Sequence, residues 1–92
     1  MVLHQQNGTK GSFFVELENK KTAEMTYVMA GSDKMIIDHT EVSAAMEGKG
    51  VGKQLVAEAV NFARANKLKI MPLCPFAKAI IEKNNTYNDV LF

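Results

Sequence analysis

Between Phe13 and Val42 apolar residues recur at every second position, and from Val51 they recur at every third or fourth. This change of period leaves few folds open. Period two describes strands that bury one face, and the longer spacing describes helices that bury one stripe. In "SFFVELE", Phe13, Val15 and Leu17 share a face, and "NKK" then makes a tight turn. In "TAEMTYVMA", Ala23, Met25, Tyr27 and Met29 lie on one face and Thr22, Glu24, Thr26 and Val28 on the other. "GSDK" turns the chain into "MIIDHTEV", a third long strand. Ahead of these, residues 2–6 form a short strand that runs into "NGTKG", a turn signal. The first half therefore reads as an antiparallel meander.

In the second half, Val51, Leu55, Val56, Ala59, Phe62 and Ala63 make the stripe of a helix over 51–66, closed by "NK". "LKIMPL" is a short apolar strand. "PFAKAIIEKNN" is a second helix with Pro75 at its first position, where the missing N–H costs nothing. "TYNDVLF" is a short tail. A helix inserted between the third long strand and the last one predicts that those two strands run parallel. The fold class is α+β: a mixed sheet of antiparallel strands followed by helix–strand–helix. Ninety-two residues allow one domain, 1–92, with every element packed on a single sheet.

Composition removes several functions. Eleven basic and ten acidic side chains leave a net charge of +1, without the basic excess of a nucleic-acid binder. No apolar run approaches the ~20 residues of a membrane span. "MVLHQQNGTKG" lacks the charged, apolar and small-residue blocks of a signal peptide. Cys74 is the single cysteine, so no internal disulfide forms, and a lone thiol fits a reducing cytoplasm. No exposed apolar stripe is left over once sheet and helices are assigned, which favours a monomer.

The first helix opens with "MEGKGVGKQLV", which carries glycines at 48, 50 and 52 and lysines at 49 and 53. A helix N-terminus offers unpaired N–H groups and a partial positive charge, and glycines let an anion approach the backbone. The alternative is a loop whose glycines serve chain geometry alone. Two named phosphate loops fail. A Walker A loop ending at Gly52-Lys53 would need glycine at Glu47 and a hydroxyl at Gln54, and a dinucleotide fingerprint starting at Gly48 would need glycine at Lys53.

"EGKGVGKQLV" after a strand ending "DHTEV" resembles the acyl-coenzyme A loop of the GNAT acetyltransferase superfamily, whose pattern is Gln or Arg, two residues, Gly, any residue, Gly or Ala. Gly50 and Gly52 match, and Glu47 replaces the Gln or Arg. "IDHTEV", "LKIMPLCPFAKAIIEKN" and "YNDVL" extend the resemblance to the small single-domain branch over nearly the whole chain. The resemblance implies an acetyl-CoA-dependent acetyltransferase that uses the coenzyme ester as substrate, without a metal. It also implies that Thr40, Glu41 and Val42 pair with the pantetheine arm through their backbone. Gly48, Lys49, Gly50, Val51, Gly52 and Lys53 would hold the pyrophosphate, with Cys74 and Pro75 beside the thioester. The acceptor is an unknown amine or peptide.

Three side chains are candidates for chemistry. Cys74 precedes Pro75 at the cap of the last helix, where the dipole favours a thiolate nucleophile. A buried small hydrophobe is the competing reading. His39 could act as base for that thiol or for an amine, or could be an ordinary strand histidine. Glu41 is a carboxylate base candidate for an amine. Asp38 and His39, adjacent on one strand, should point to opposite faces. Tyr87 is a weaker general-acid candidate that packs more naturally in the core, and His4 reads as a surface residue. The second functional class is a module that binds coenzyme A without efficient transfer, because no helices precede the strands to build an acceptor pocket. The third is an interaction domain without cofactor.

Overall fold

Five strands form one sheet in sequence order: β1 (Leu3–Asn7), β2 (Lys10–Leu17), β3 (Lys20–Ala30), β4 (Lys34–Val42) and β5 (Lys69–Pro72). Helix α1 (Val51–Ala65) joins β4 to β5, and α2 (Pro75–Lys83) follows. This is a computed structural model covering residues 1–92. The first three pairings are antiparallel, and β4 and β5 are parallel, as a helical crossover requires. The tail forms a 3-10 helix (Asn85–Val90), and Leu91 then bridges Ile70 in parallel, covering the outer edge of β5.

The alternating pattern sorts the sheet faces. Phe13, Val15, Ala23, Met25, Tyr27, Met35 and Ile37 face both helices and form one core with Leu55, Val56, Ala59, Val60, Ile70, Ala77 and Ile81. No helix covers the other face. Two bulges alter the predicted alternation. A shift between Val15 and Glu16 leaves Leu17 52% exposed, off the core face where strict alternation put it. A second shift makes Asp38 an extra residue, since Tyr27 pairs with Ile37 and Thr26 with His39. Bulges of this kind flip side chains beyond them. Ile37 is therefore in the core, and Thr40 and Val42 share its face.

The tight turn lies one residue earlier than "NKK". Glu18 and Asn19 both have positive φ (53° and 66°) between paired Leu17 and Lys20, as a type I′ hairpin demands. His4 is more than a surface residue. Its ring stacks on Phe13 at 4.3 Å between centroids and meets the Tyr27 hydroxyl at 2.5 Å, pinning β1 to the core although its edge still reaches water. The tail is fixed by Arg64, whose guanidinium grips both oxygens of Asp89 at 2.9 Å.

Candidate functional site

The parallel ladder between β4 and β5 stops early. Its last pair is Ile37 with Pro72, after which the Leu73 and Cys74 amides both donate to the Ile37 carbonyl. Beyond that point β5 turns into α2, while β4 continues to Val42 with only β3 beside it. The Ser43 amide bonds Thr22 on β3. By alternation, Glu41 also directs its main chain to β3, whereas Thr40 and Val42 direct theirs outward, into the gap where β5 has left. Two residues of the expected backbone trio are thus free to pair with a ligand. Glu41 is not, and this corrects its place among the backbone contacts.

The glycine loop closes one end of this gap. Gly48 and Gly50 have φ of +78° and +74°, a conformation that L side chains rarely adopt, while Lys49 and Val51 do not. Alternation of this kind turns successive N–H groups toward one concavity and forms an anion nest. The Lys49 amide donates to the Met46 carbonyl at 3.3 Å, so it is not available. The amides of Gly48, Gly50, Val51, Gly52 and Lys53 have no acceptor in the protein. Gly52 has a different reason to be glycine: the tip of the Phe76 ring occupies the space of its missing Cβ.

Between loop, β4 and α2 lies a cleft of about 510 Å³. Of the predicted residues, Thr40, Val42, Gly48, Gly50, Val51, Gly52 and Lys53 line it. Glu41, Lys49, Cys74 and Pro75 do not. Pro75 is the first residue of α2, as expected, and serves the helix. Met46, Phe76 and Ile80 supply apolar wall that the sequence reading missed. The spacing of Phe76 and Ile80, four apart and off the buried stripe of Ala77 and Ile81, was the available signal. Glu47 also lines the cleft, so the departure from Gln or Arg brings a carboxylate to the anion end. Lys53 and Ile80 continue into a hollow of about 360 Å³ with Lys83, Asn84 and Tyr87. Tyr87 therefore stands beyond the loop, packed on the core and away from the thiol.

Cys74 is outside the cleft wall and touches Thr40, which is part of that wall. It caps α2, is 7% exposed, and its Sγ is 3.3 Å from Thr40 Oγ1. Burial pushes this thiol up. The Thr40 hydroxyl and then the amides of Ala77, Phe76 and Thr40 pull it down by more, so it sits below the ordinary cysteine value. The Ala77 and Phe76 amides belong to the first turn of α2, so the helix N-terminus favours the thiolate.

His39 and Glu41 are on the opposite face of the sheet. They are 66% and 78% exposed and 3.6 Å apart. The bulge puts Asp38 on that face too, where it accepts from Thr26 Oγ1 at 2.5 Å, so Asp38 and His39 do not point to opposite faces. The sheet stands between His39 and Cys74, which removes His39 as a base for that thiol. Its other role, toward an amine arriving at the uncovered face, is untouched by this geometry. No group of three metal-ligating side chains is present, and no helix is long and apolar enough to cross a membrane.

Residues 12–90 match the family described as GCN5-related N-acetyl-transferase. A GCN5-like protein from Staphylococcus aureus, solved by NMR, superposes with a TM-score of 0.76 at 41% identity, covering 98% of this chain and 87% of that one. A ribosomal-protein-alanine N-acetyltransferase from Brucella melitensis biovar Abortus 2308 gives a TM-score of 0.69 at 16% identity over 85% of this chain and 64% of its own. An aminoglycoside acetyltransferase from an uncultured soil sample, solved with sisomicin, gives 0.69 at 16% identity over 86% and 59%. No curated protein matches the chain. The chain belongs to the GCN5-related N-acetyltransferase family, and that membership implies acyl transfer that depends on acetyl-coenzyme A.

Proposed function

We propose that the cleft holds acetyl-coenzyme A and that the chain moves its acetyl group to an amine. The observation that carries this reading is the set of five amides, at Gly48 and Gly50–Lys53, that have no acceptor in the protein and sit at the helix N-terminus beside the gap. A pyrophosphate satisfies such donors. Thr40 and Val42 then offer main-chain groups to an amide-bearing arm lying where a strand would lie. Lys53, Lys83 and Tyr87 border the hollow suited to the nucleotide end.

In direct transfer the amine nitrogen bonds the thioester carbonyl carbon. The carbon–sulfur bond breaks, and its electron pair leaves on the coenzyme sulfur, which takes a proton. Outward-facing amides of β4 stabilise the oxygen as negative charge builds on it. Glu41 or His39, exposed on the uncovered face, takes the proton that the amine loses. In the covalent variant Cys74 Sγ receives the acetyl group first and yields it to the amine. The lone thiol suits a reducing cytoplasm.

A coenzyme-binding module without efficient transfer is the second reading. It is favoured by the uncovered sheet face, because no element of the chain walls an acceptor site there. Calorimetric titration with coenzyme A tests the shared premise, with Gly50→Val as control. We expect wild-type binding and a loss of at least tenfold in the variant, from a strained backbone and a blocked nest. Equal binding by both proteins would remove the loop from the site. Release of free coenzyme thiol with a panel of amines separates enzyme from module.

A further inference from the structure

We infer that Thr40 is a positioning residue for Cys74, its hydroxyl holding Sγ just behind the cleft wall as acceptor for the thiol and donor to the thiolate. The contact spans 34 positions of sequence and joins β4 to the start of α2 just past the last ladder pair, three residues along β4 from the Ile37 carbonyl that accepts the Cys74 amide. Position 40 is on the core face opposite Met25, which is 1% exposed, and Val42 follows two residues on with the same orientation. Valine would satisfy such a site in strand propensity and shape. Thr40 Oγ1 has one partner in the protein, and that partner is Sγ.

A hydroxyl suits both states of the sulfur because it rotates between accepting from S–H and donating to S⁻. The main chain of the same residue faces the gap, so Thr40 presents the thiol with its side chain and the cleft with its backbone. The consequence for catalysis rests on the coenzyme reading above. In the covalent route the Sγ–acyl bond forms as the acyl–coenzyme bond breaks, and the proton given up by Cys74 ends on the coenzyme sulfur. The Thr40 hydroxyl lies beside that sulfur exchange and fixes the direction of attack.

The test is alkylation of Cys74 by iodoacetamide across pH, read by intact mass, in wild type, Thr40→Val and Thr40→Ser, with folding checked by circular dichroism and coenzyme A affinity by calorimetry. In Thr40→Val the pH midpoint of alkylation rises by about 1 unit, as loss of one hydrogen bond to a charged group predicts. Thr40→Ser restores the wild-type profile. A Thr40→Val profile that coincides with wild type overturns the inference. So does a Thr40→Ser profile shifted as far as that of Thr40→Val, since the methyl group and not the hydroxyl would then hold the thiol. Absence of coenzyme binding in wild type would defeat the coenzyme reading alone, and the alkylation comparison would still decide the role of Thr40.

Discussion

Two glycines sit beneath aromatic rings, and the same substitution at each should give opposite results. A Cβ on Gly11 would fall well inside 3.0 Å of the Tyr27 ring and hydroxyl, and a Cβ on Gly52 would do the same at the tip of the Phe76 ring. Tyr27 is 1% exposed and its hydroxyl is held by His4, so its ring has nowhere to go. Overpacking together with loss of that hydrogen bond puts Gly11→Ala at about 3 kcal/mol, or a Tm lower by roughly 12 °C or more. Phe76 is 45% exposed and only its tip is in the way, one edge carbon remaining at 3.5 Å. Its ring can swing into the cleft. Alanine also improves helix propensity by about 1 kcal/mol over glycine, so Gly52→Ala should change stability by no more than about 1 kcal/mol. Coenzyme A affinity should instead fall about tenfold, or 1.4 kcal/mol, as the ring intrudes. Gly52→Ala with Phe76→Leu should recover most of that loss. Thermal melts and calorimetry read both effects. If Gly52→Ala costs as much stability as Gly11→Ala, exposure is not what decides the outcome. If it leaves coenzyme affinity unchanged, Phe76 is not a wall of the coenzyme site.

Burial holds His4 below the ordinary histidine range, so the unfolded chain takes up its proton first. That contribution to stability is present above about pH 6.5 and is lost as pH falls through the lower folded value; urea melts between pH 5 and 8 should show the loss in wild type and a flatter response in His4→Gln. Replacing Glu18, a non-glycine residue at φ 53°, by asparagine should raise stability by about 0.5 kcal/mol, read as a higher Tm, since type I′ turns favour asparagine there. Glu47 brings a carboxylate to the anion end of the cleft, so Glu47→Gln should tighten coenzyme A binding about threefold, with the gain shrinking at high salt.

The period switch carried most of the fold, because strand alternation and helical stripe are each set by residues close in sequence. All seven regular elements were legible, as was the parallel last pair. The two bulges were not. Nothing in "IDHTE" marks Asp38 as an extra residue, since its insertion is decided by pairing with β3, yet that one residue sets which side chains from Asp38 to Val42 meet the cleft. Counting by twos therefore split Asp38 from His39 and left open whether His39 could meet Cys74. The nest glycines were legible by composition, whereas the occupied Lys49 amide depends on a turn back to Met46 that sequence does not announce. Phe76 was missed because its partner is the empty side of Gly52, an interaction defined by an absent side chain.

Intact mass of the protein mixed with acetyl-coenzyme A, taken first under native and then under denaturing conditions, tests the central claim most directly. The account predicts a one-to-one complex in the native spectrum that is lost in Gly50→Val. In the denaturing spectrum, a single acetyl group that disappears in Cys74→Ser would assign the covalent route, and bare protein would assign direct transfer or binding alone. No complex in the native spectrum, at concentrations that saturate a typical coenzyme site, would contradict the account and leave the five free amides without a ligand.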